Sequence, residues 1–185
     1  ASSHGLKQNR LDGLIFDIGI FTNLSHDHLD YHKNFTEYLN AKLYLFKNLI
    51  KKRGIVIVDP NIAQFKKIEK ISKKKKLKLL TIFSANSDLE LVSHRYVNDH
   101  QILEIKVKNK NKLSIRLNLI GKIQIKNLLM ACLAAMNSGL SISAISKSIS
   151  QIKPAEGRLE KIGKLRNNSK VILDYAHTPD ALKTV

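Results

Sequence analysis

Three short apolar runs constrain this chain more than any other feature. Residues 14–20, 55–58 and 78–83 each have the length and content of a buried strand. Between the first two, residues 35–51 carry Leu39, Leu43, Phe46 and Leu49 or Ile50 at helical spacing, and Gly54 is expected to end that helix. Asp59-Pro60 closes the second run, and Asn61 is expected to cap a helix reaching about Ser72. Strand–helix–strand–helix–strand order predicts a parallel sheet, because a parallel neighbour needs a crossover and a helix supplies it.

The period then changes to two. Leu103, Ile105 and Val107 alternate with Ile102, Glu104, Lys106 and Lys108, and Leu113, Ile115 and Leu117 alternate with Ser114, Arg116 and Asn118. Two or three antiparallel strands fit, with Asn109-Lys110-Asn111 as the turn. Residues 123–137 and 142–152 read as helices with Gly139 between them. Residues 154–157 read as an interdomain linker. Residues 170–173 begin a new strand that ends at Asp174, and Pro179 opens a last helix. The fold class is α/β: a mostly parallel sheet flanked by helices, a small antiparallel β subdomain, and the start of a further domain.

Right after the first run, His26, Asp27, His28, Asp30 and His32 place three histidines and two aspartates within seven residues. Ligand-type side chains at the carboxyl end of a buried strand are where open α/β proteins build sites. A histidine-rich surface turn is the plain alternative. Taken alone, Lys42 reads as a helix-surface lysine and Ser2-Ser3 as a helix cap.

Composition excludes several classes. The net charge of +17 suggests nucleic acid, but the excess is lysine spread among Ile and Asn, with one block at residues 73–76. Sequence readers place arginine and aromatics at bases, whereas here tryptophan is absent and aromatics are 6%. No specific nucleic-acid partner is expected. The single cysteine, Cys132, can form neither an internal disulfide nor a Cys–Cys metal pair, which fits the cytoplasm. No apolar run has the length of a membrane span, so no membrane association is expected. The start without Met and the end inside a helical pattern suggest a fragment.

Three segments resemble the Mur ligase family, in its MurE type. They are Ser2-Ser3-His4 with Gln8 and Arg10; Thr22-Asn23-Leu24-Ser25-His26-Asp27-His28-Leu29-Asp30-Tyr31-His32 with Lys42; and Gly157-Arg158-Leu159-Glu160 with Asp174-Tyr175-Ala176-His177-Thr178-Pro179-Asp180-Ala181-Leu182. The resemblance implies an ATP-dependent amide ligase of peptidoglycan synthesis. Such an enzyme adds a diamino acid, expected to be meso-diaminopimelate, to UDP-N-acetylmuramoyl-L-alanyl-D-glutamate through an acyl phosphate. It implies residues 1–156 as the later part of the central ATPase domain, and 157–185 as the start of a Rossmann-like C-terminal domain.

By the same resemblance, Ser2, Gln8 and Arg10 contact the UDP-muramoyl dipeptide. His28 holds magnesium. Lys42 is the catalytic lysine, reacting with carbon dioxide to give a carbamate that also serves the metal. Asn127, Arg158, Asp174 and His177 contact ATP. A phosphate loop G-x-x-x-x-G-K-[ST] is expected upstream, since residues 157–164 approach it with the wrong spacing and Leu165 follows. Two positions depart from the family pattern: Ile123-Gln124 replaces a usual Phe-Asn, and His26 a commonly basic Arg. The rivals are another Mur or folylpolyglutamate-type ligase, and a noncatalytic basic binding module.

Overall fold

The computed structural model describes residues 1–25, 30–97, 100–110 and 112–184. The chain divides into two compact units, Ala1–Ile82 and Phe83–Val185.

The first unit starts with a short helix α1 (Ser3–Lys7), then strand β1 (Phe16–Phe21), helix α2 (Phe35–Tyr44), strand β2 (Ile50–Val58), helix α3 (Phe65–Lys75) and strand β3 (Lys78–Phe83). β2 lies between β1 and β3 and is parallel to both, with Ile20 opposite Ile57 and Ile57 opposite Leu80. This is the parallel arrangement expected from the alternating runs. Val56, Ile57 and Val58 are fully buried, as a strand covered on both faces requires. Leu39, Leu43 and Phe46 of the second helical stretch pack with Phe21, Val56, Val58 and Ile68 into one core.

Local differences from the sequence reading have physical causes. The first strand starts at Phe16, and Leu14 and Ile15 are 51% and 73% exposed. α2 passes at Leu45 into a π-helical turn, Leu45–Leu49, which ends with Ile50 entering β2. The wider turn keeps both Phe46 and Leu49 buried. Gly54 therefore lies inside β2 and does not end a helix. Pairing with β1 jumps from Phe16–Ile50 to Ile18–Ile55, so residues 51–54 form a bulge. A Cβ on Gly54 would lie 2.6 Å from Ile50 Cγ2 and 2.9 Å from the Asp17 carbonyl oxygen, which explains glycine there. α3 starts at Phe65 and not after Asn61, whose N–H donates to Asp59 Oδ1 at 2.9 Å and so belongs to a turn.

In the second unit, β4 (Leu89–Val97), β5 (His100–Val107) and β6 (Lys112–Leu117) form the expected antiparallel meander. Leu103, Ile105, Ile115 and Leu117 are buried while Glu104, Lys106 and Arg116 are exposed, the alternation read from sequence. Helices α4 (Lys122–Asn137) and α5 (Ile142–Ile149) follow, the second capped by Ser141 Oγ, which accepts from Ala144 N at 3.2 Å. The last segment is a hairpin of β7 (Glu160–Lys164) and β8 (Lys170–Leu173), then α6 (Pro179–Thr184). β7 was not anticipated. A bulge between Lys161 and Gly163 breaks its alternation, so period two is not visible in the sequence. Among the described residues no helix is long and apolar enough to cross a membrane.

Candidate functional site

In the first unit the site residues gather around α1 and α2. Asn34 caps α2, its Oδ1 accepting from Glu37 N at 2.9 Å, while Glu37 reaches back to accept from Lys33 N at 2.7 Å. Lys7 also pairs with Glu37 at 2.6 Å. The Lys7 hydrogen bond and then the Lys33 amide hold the Glu37 carboxyl below its ordinary range. With its start fixed in this way, α2 places Tyr38 and Lys42 one turn apart on one face.

Lys42 is half-buried. Its Nζ lies 5.2 Å from the Tyr38 ring centroid and donates to the Asn23 carbonyl at 3.2 Å. The helix thus delivers the amine to the segment that follows β1. Tyr38 is buried, with the His32 ring stacked on it at 5.1 Å and 21°. His32 is itself buried, its Nε2 2.9 Å from Ser3 Oγ. The last histidine of the His/Asp stretch is therefore a packed core residue. His26, Asp27 and His28, the expected metal ligand among them, lie outside the described residues.

Ser2 caps α1, its Oγ accepting from Gly5 N at 3.1 Å. Gln8 Nε2 donates to the Tyr31 hydroxyl at 3.0 Å, which joins the end of α1 to the His/Asp stretch. Arg10 is exposed in the turn after α1. The three expected substrate contacts thus lie within one short helix and its exit.

In the second unit Arg158, Asp174 and His177 come together around backbone. Asp174 Oδ2 accepts from Leu159 N and Oδ1 from Ala176 N, both at 2.8 Å. Tyr175 N donates to the Gly157 carbonyl at 2.8 Å. The Arg158 guanidinium lies 5.2 Å from the Tyr175 ring centroid, and that ring meets His177 edge-on at 4.9 Å. His177 Nδ1 donates to the Tyr175 carbonyl at 2.8 Å, which leaves Nε2 as the outward nitrogen. A cleft of about 370 Å³ is lined by Glu156, Gly157, Arg158, Leu173, Asp174 and Tyr175.

Asn127 is exposed on α4 and is not among the residues lining that cleft. Gln124, the departure from the usual Asn, donates from Nε2 to the Arg158 carbonyl at 3.4 Å. Its longer side chain thus ties the first turn of α4 to Arg158. Sequence reasoning missed the parts played by Tyr38 and Tyr175. For Tyr38 a signal existed, an aromatic four residues before the lysine on a helix. For Tyr175 there was none beyond its place in the motif.

The donor set bears on magnesium, which prefers oxygen ligands. Among the described residues no group of three or more His, Cys, Asp and Glu could hold a metal ion. Lys42 as an ammonium has no acceptor at all, whereas a carbamate there would offer two anionic oxygens. This position fits a magnesium ion only in the carbamylated form.

A family model described as the Mur ligase middle domain matches residues 1–135. The chain belongs to the Mur ligase family. It is 36% identical over 183 residues to the UDP-N-acetylmuramoyl-L-alanyl-D-glutamate–2,6-diaminopimelate ligase of Zymomonas mobilis subsp. mobilis, covering 99% of this chain and 37% of that protein. A solved structure of a ligase of that name matches with a TM-score of 0.81 and 30% identity, over 100% of this chain and 38% of the other. The Mur ligase fold extends to the MurF ligase from Thermotoga maritima in complex with ADP, at a TM-score of 0.80 and 15% identity, over 100% of this chain and 41% of that one. The chain thus spans well under half of the length of these Mur ligases.

Proposed function

We propose that this chain is part of an ATP-dependent Mur ligase of the MurE type. Its reaction would join a diamino acid, meso-diaminopimelate, to UDP-N-acetylmuramoyl-L-alanyl-D-glutamate in peptidoglycan synthesis, in the cytoplasm. The observation that carries the reading is the delivery of the Lys42 amine by α2 to the segment after β1. The likeness to ligases named for these substrates supports it. Residues 1–156 are assigned to the central domain and 157–185 to the C-terminal one.

The residues have separable tasks. The neutral Lys42 amine attacks carbon dioxide, loses one proton and becomes a carbamate. Magnesium, bound with His28 and that carbamate, would supply positive charge against the phosphates. Arg158 meets a phosphate with paired donors. Asp174 keeps lone pairs for ribose hydroxyls beyond the two given to backbone amides, Asn127 offers its amide to adenine, and His177 presents Nε2 near the phosphates. Ser2, Gln8 and Arg10 hold the UDP-muramoyl dipeptide. Because ATP activates the substrate carboxyl as an acyl phosphate, these contacts serve mainly to align two anions that would otherwise repel.

The test is amide formation by the full-length protein, followed by ADP release and product mass. The reading predicts turnover with ATP, the UDP-muramoyl dipeptide and meso-diaminopimelate. Turnover with lysine only would move the amine assignment. Turnover with folate and glutamate only would move the chain to the folylpolyglutamate type. Salt-sensitive nucleic-acid binding with no ATP binding would replace the ligase reading by the basic binding module.

A further inference from the structure

Next to Arg158 stands a leucine in a backbone conformation that leucine avoids. Leu159 has a φ of 48°, in the left-handed region where a side chain crowds the neighbouring carbonyl. It is nevertheless buried, at 6% exposure. A residue persists in such a conformation only where its surroundings determine it, and burial of the leucine side chain opposes the backbone cost.

The seat of that side chain is Gly121, which precedes α4. A Cβ on Gly121 would lie 2.7 Å from Leu159 Cδ1, and Gly121 itself has a φ of 87°. Glycine there makes room for the leucine, and a larger residue would displace it. The peptide group joining Arg158 to Leu159 is held at both ends. Its carbonyl accepts from Gln124 Nε2 at 3.4 Å, and its N–H donates to Asp174 Oδ2 at 2.8 Å. Arg158 N donates to the Ala155 carbonyl at 3.0 Å. Arg158 therefore starts from a fixed backbone, exposed and lining the cleft, while its neighbour anchors it.

This anchor joins two parts of the chain. Gly121 lies within the residues matched by the middle-domain model, and Leu159 lies beyond them. α4, which begins beside Gly121, also carries Asn127. We infer that Leu159 is a positioning residue for nucleotide binding. Seated on Gly121, it sets where Arg158 stands relative to α4, so that one nucleotide meets both Asn127 and Arg158. The inference rests on the reading of those two residues as nucleotide contacts, and Leu159 itself touches no ligand. A leucine that only filled space would, when truncated, weaken every ligand alike.

The experiment measures ADP binding to the full-length protein by calorimetry, beside KM for ATP and for the UDP-muramoyl dipeptide. Leu159→Ala should weaken ADP about tenfold, raise the ATP KM in step and move the dipeptide KM by less than about twofold. In an Arg158→Ala background the same substitution should add less than about twofold, because the group it places is gone. Leu159→Met keeps the buried volume and should bind ADP within about twofold of the unchanged protein. If Leu159→Ala does not fold, Gln124→Met removes a surface support of the same peptide. It should weaken ADP about threefold, again with no further loss beside Arg158→Ala. Equal weakening in both backgrounds, or equal rises in the two KM values, would make Leu159 a packing residue and overturn the inference. Weaker ADP binding in Arg158→Ala with none in Leu159→Ala overturns the inference alone. No ADP binding by the unchanged protein, or unchanged binding in Arg158→Ala, overturns the nucleotide reading and the inference with it.

Discussion

Around Lys42, side chains are held by other side chains. Ser3, His32 and Tyr38 are buried and touch in sequence, and Lys42 rests on the last of them. Around Asp174, the backbone does the holding: two amides converge on one carboxylate, and the neighbouring Tyr175 is 65% exposed. The first arrangement depends on volume and packing, the second on a few hydrogen bonds. A substitution near Lys42 should therefore disturb the fold through lost burial. One at Asp174 should loosen a turn and leave the core intact. Activity losses at Asp174 consequently mix a structural effect with a ligand effect, whereas Lys42 itself, half-buried on the Tyr38 ring, can be exchanged without removing the buried side chains beneath it.

The largest expected effect is at Tyr38. Tyr38→Ala removes a buried aromatic and should cost ~3 kcal/mol, read as a lower urea midpoint at unchanged slope. Tyr38→Phe keeps the packing and the ring face under Lys42 and should cost far less. Equal losses in the two variants would break the claim that packing holds this region.

Asp174→Ala comes next, at about 1–3 kcal/mol of local stability, because two backbone donors lose their acceptor. Hydrogen exchange should accelerate at the Leu159 and Ala176 amides and stay unchanged in the β1–β2 ladder. Asp174→Asn keeps one acceptor and should protect one of the two amides. Exchange rising uniformly over both units would contradict the separation drawn here.

How much was legible in the sequence follows the same division. Leu39, Leu43 and Phe46 announced the α2 face because a helix repeats locally. Gly54 was misread as a helix end because its reason is the approach of Ile50 and Asp17, which no local pattern encodes. Arg158 and Asp174 were legible through the motif that contains them, and the structure brings them to one cleft. The double use of Asp174 by Leu159 and Ala176 was not legible, since it depends on a contact fifteen residues away in sequence. Lys42 could be singled out only by family resemblance. Chemically it looks like any half-buried helix lysine until Asn23 and Tyr38 are seen around it.

A smaller effect concerns acid stability. The folded Glu37 carboxyl titrates below its ordinary range, mainly through Lys7 and then the Lys33 amide. A depressed carboxyl adds stability that is fully present above the unfolded value and is lost as pH falls through the folded one. Glu37→Gln should therefore lower stability slightly at neutral pH, with the difference from the unchanged protein vanishing as pH falls through the folded value, which flattens the acid limb. An unchanged acid limb would remove Glu37 from the set that orders α2.

The smallest signal is a null one. Burial pushes the Cys132 thiol up to about 11, so the native chain should resist iodoacetamide at neutral pH and label only after unfolding. Rapid labelling of the native chain would mean that α4 opens readily.

The most direct measurement is the turnover of full-length Lys42→Arg at saturating ATP and magnesium, beside the unchanged protein. Arginine keeps the positive charge but cannot supply carbamate oxygens, so the account predicts a loss well beyond tenfold, more than ~1.4 kcal/mol in the barrier. If the variant keeps more than about a tenth of the rate, Lys42 is an ordinary helix lysine and the catalytic assignment fails.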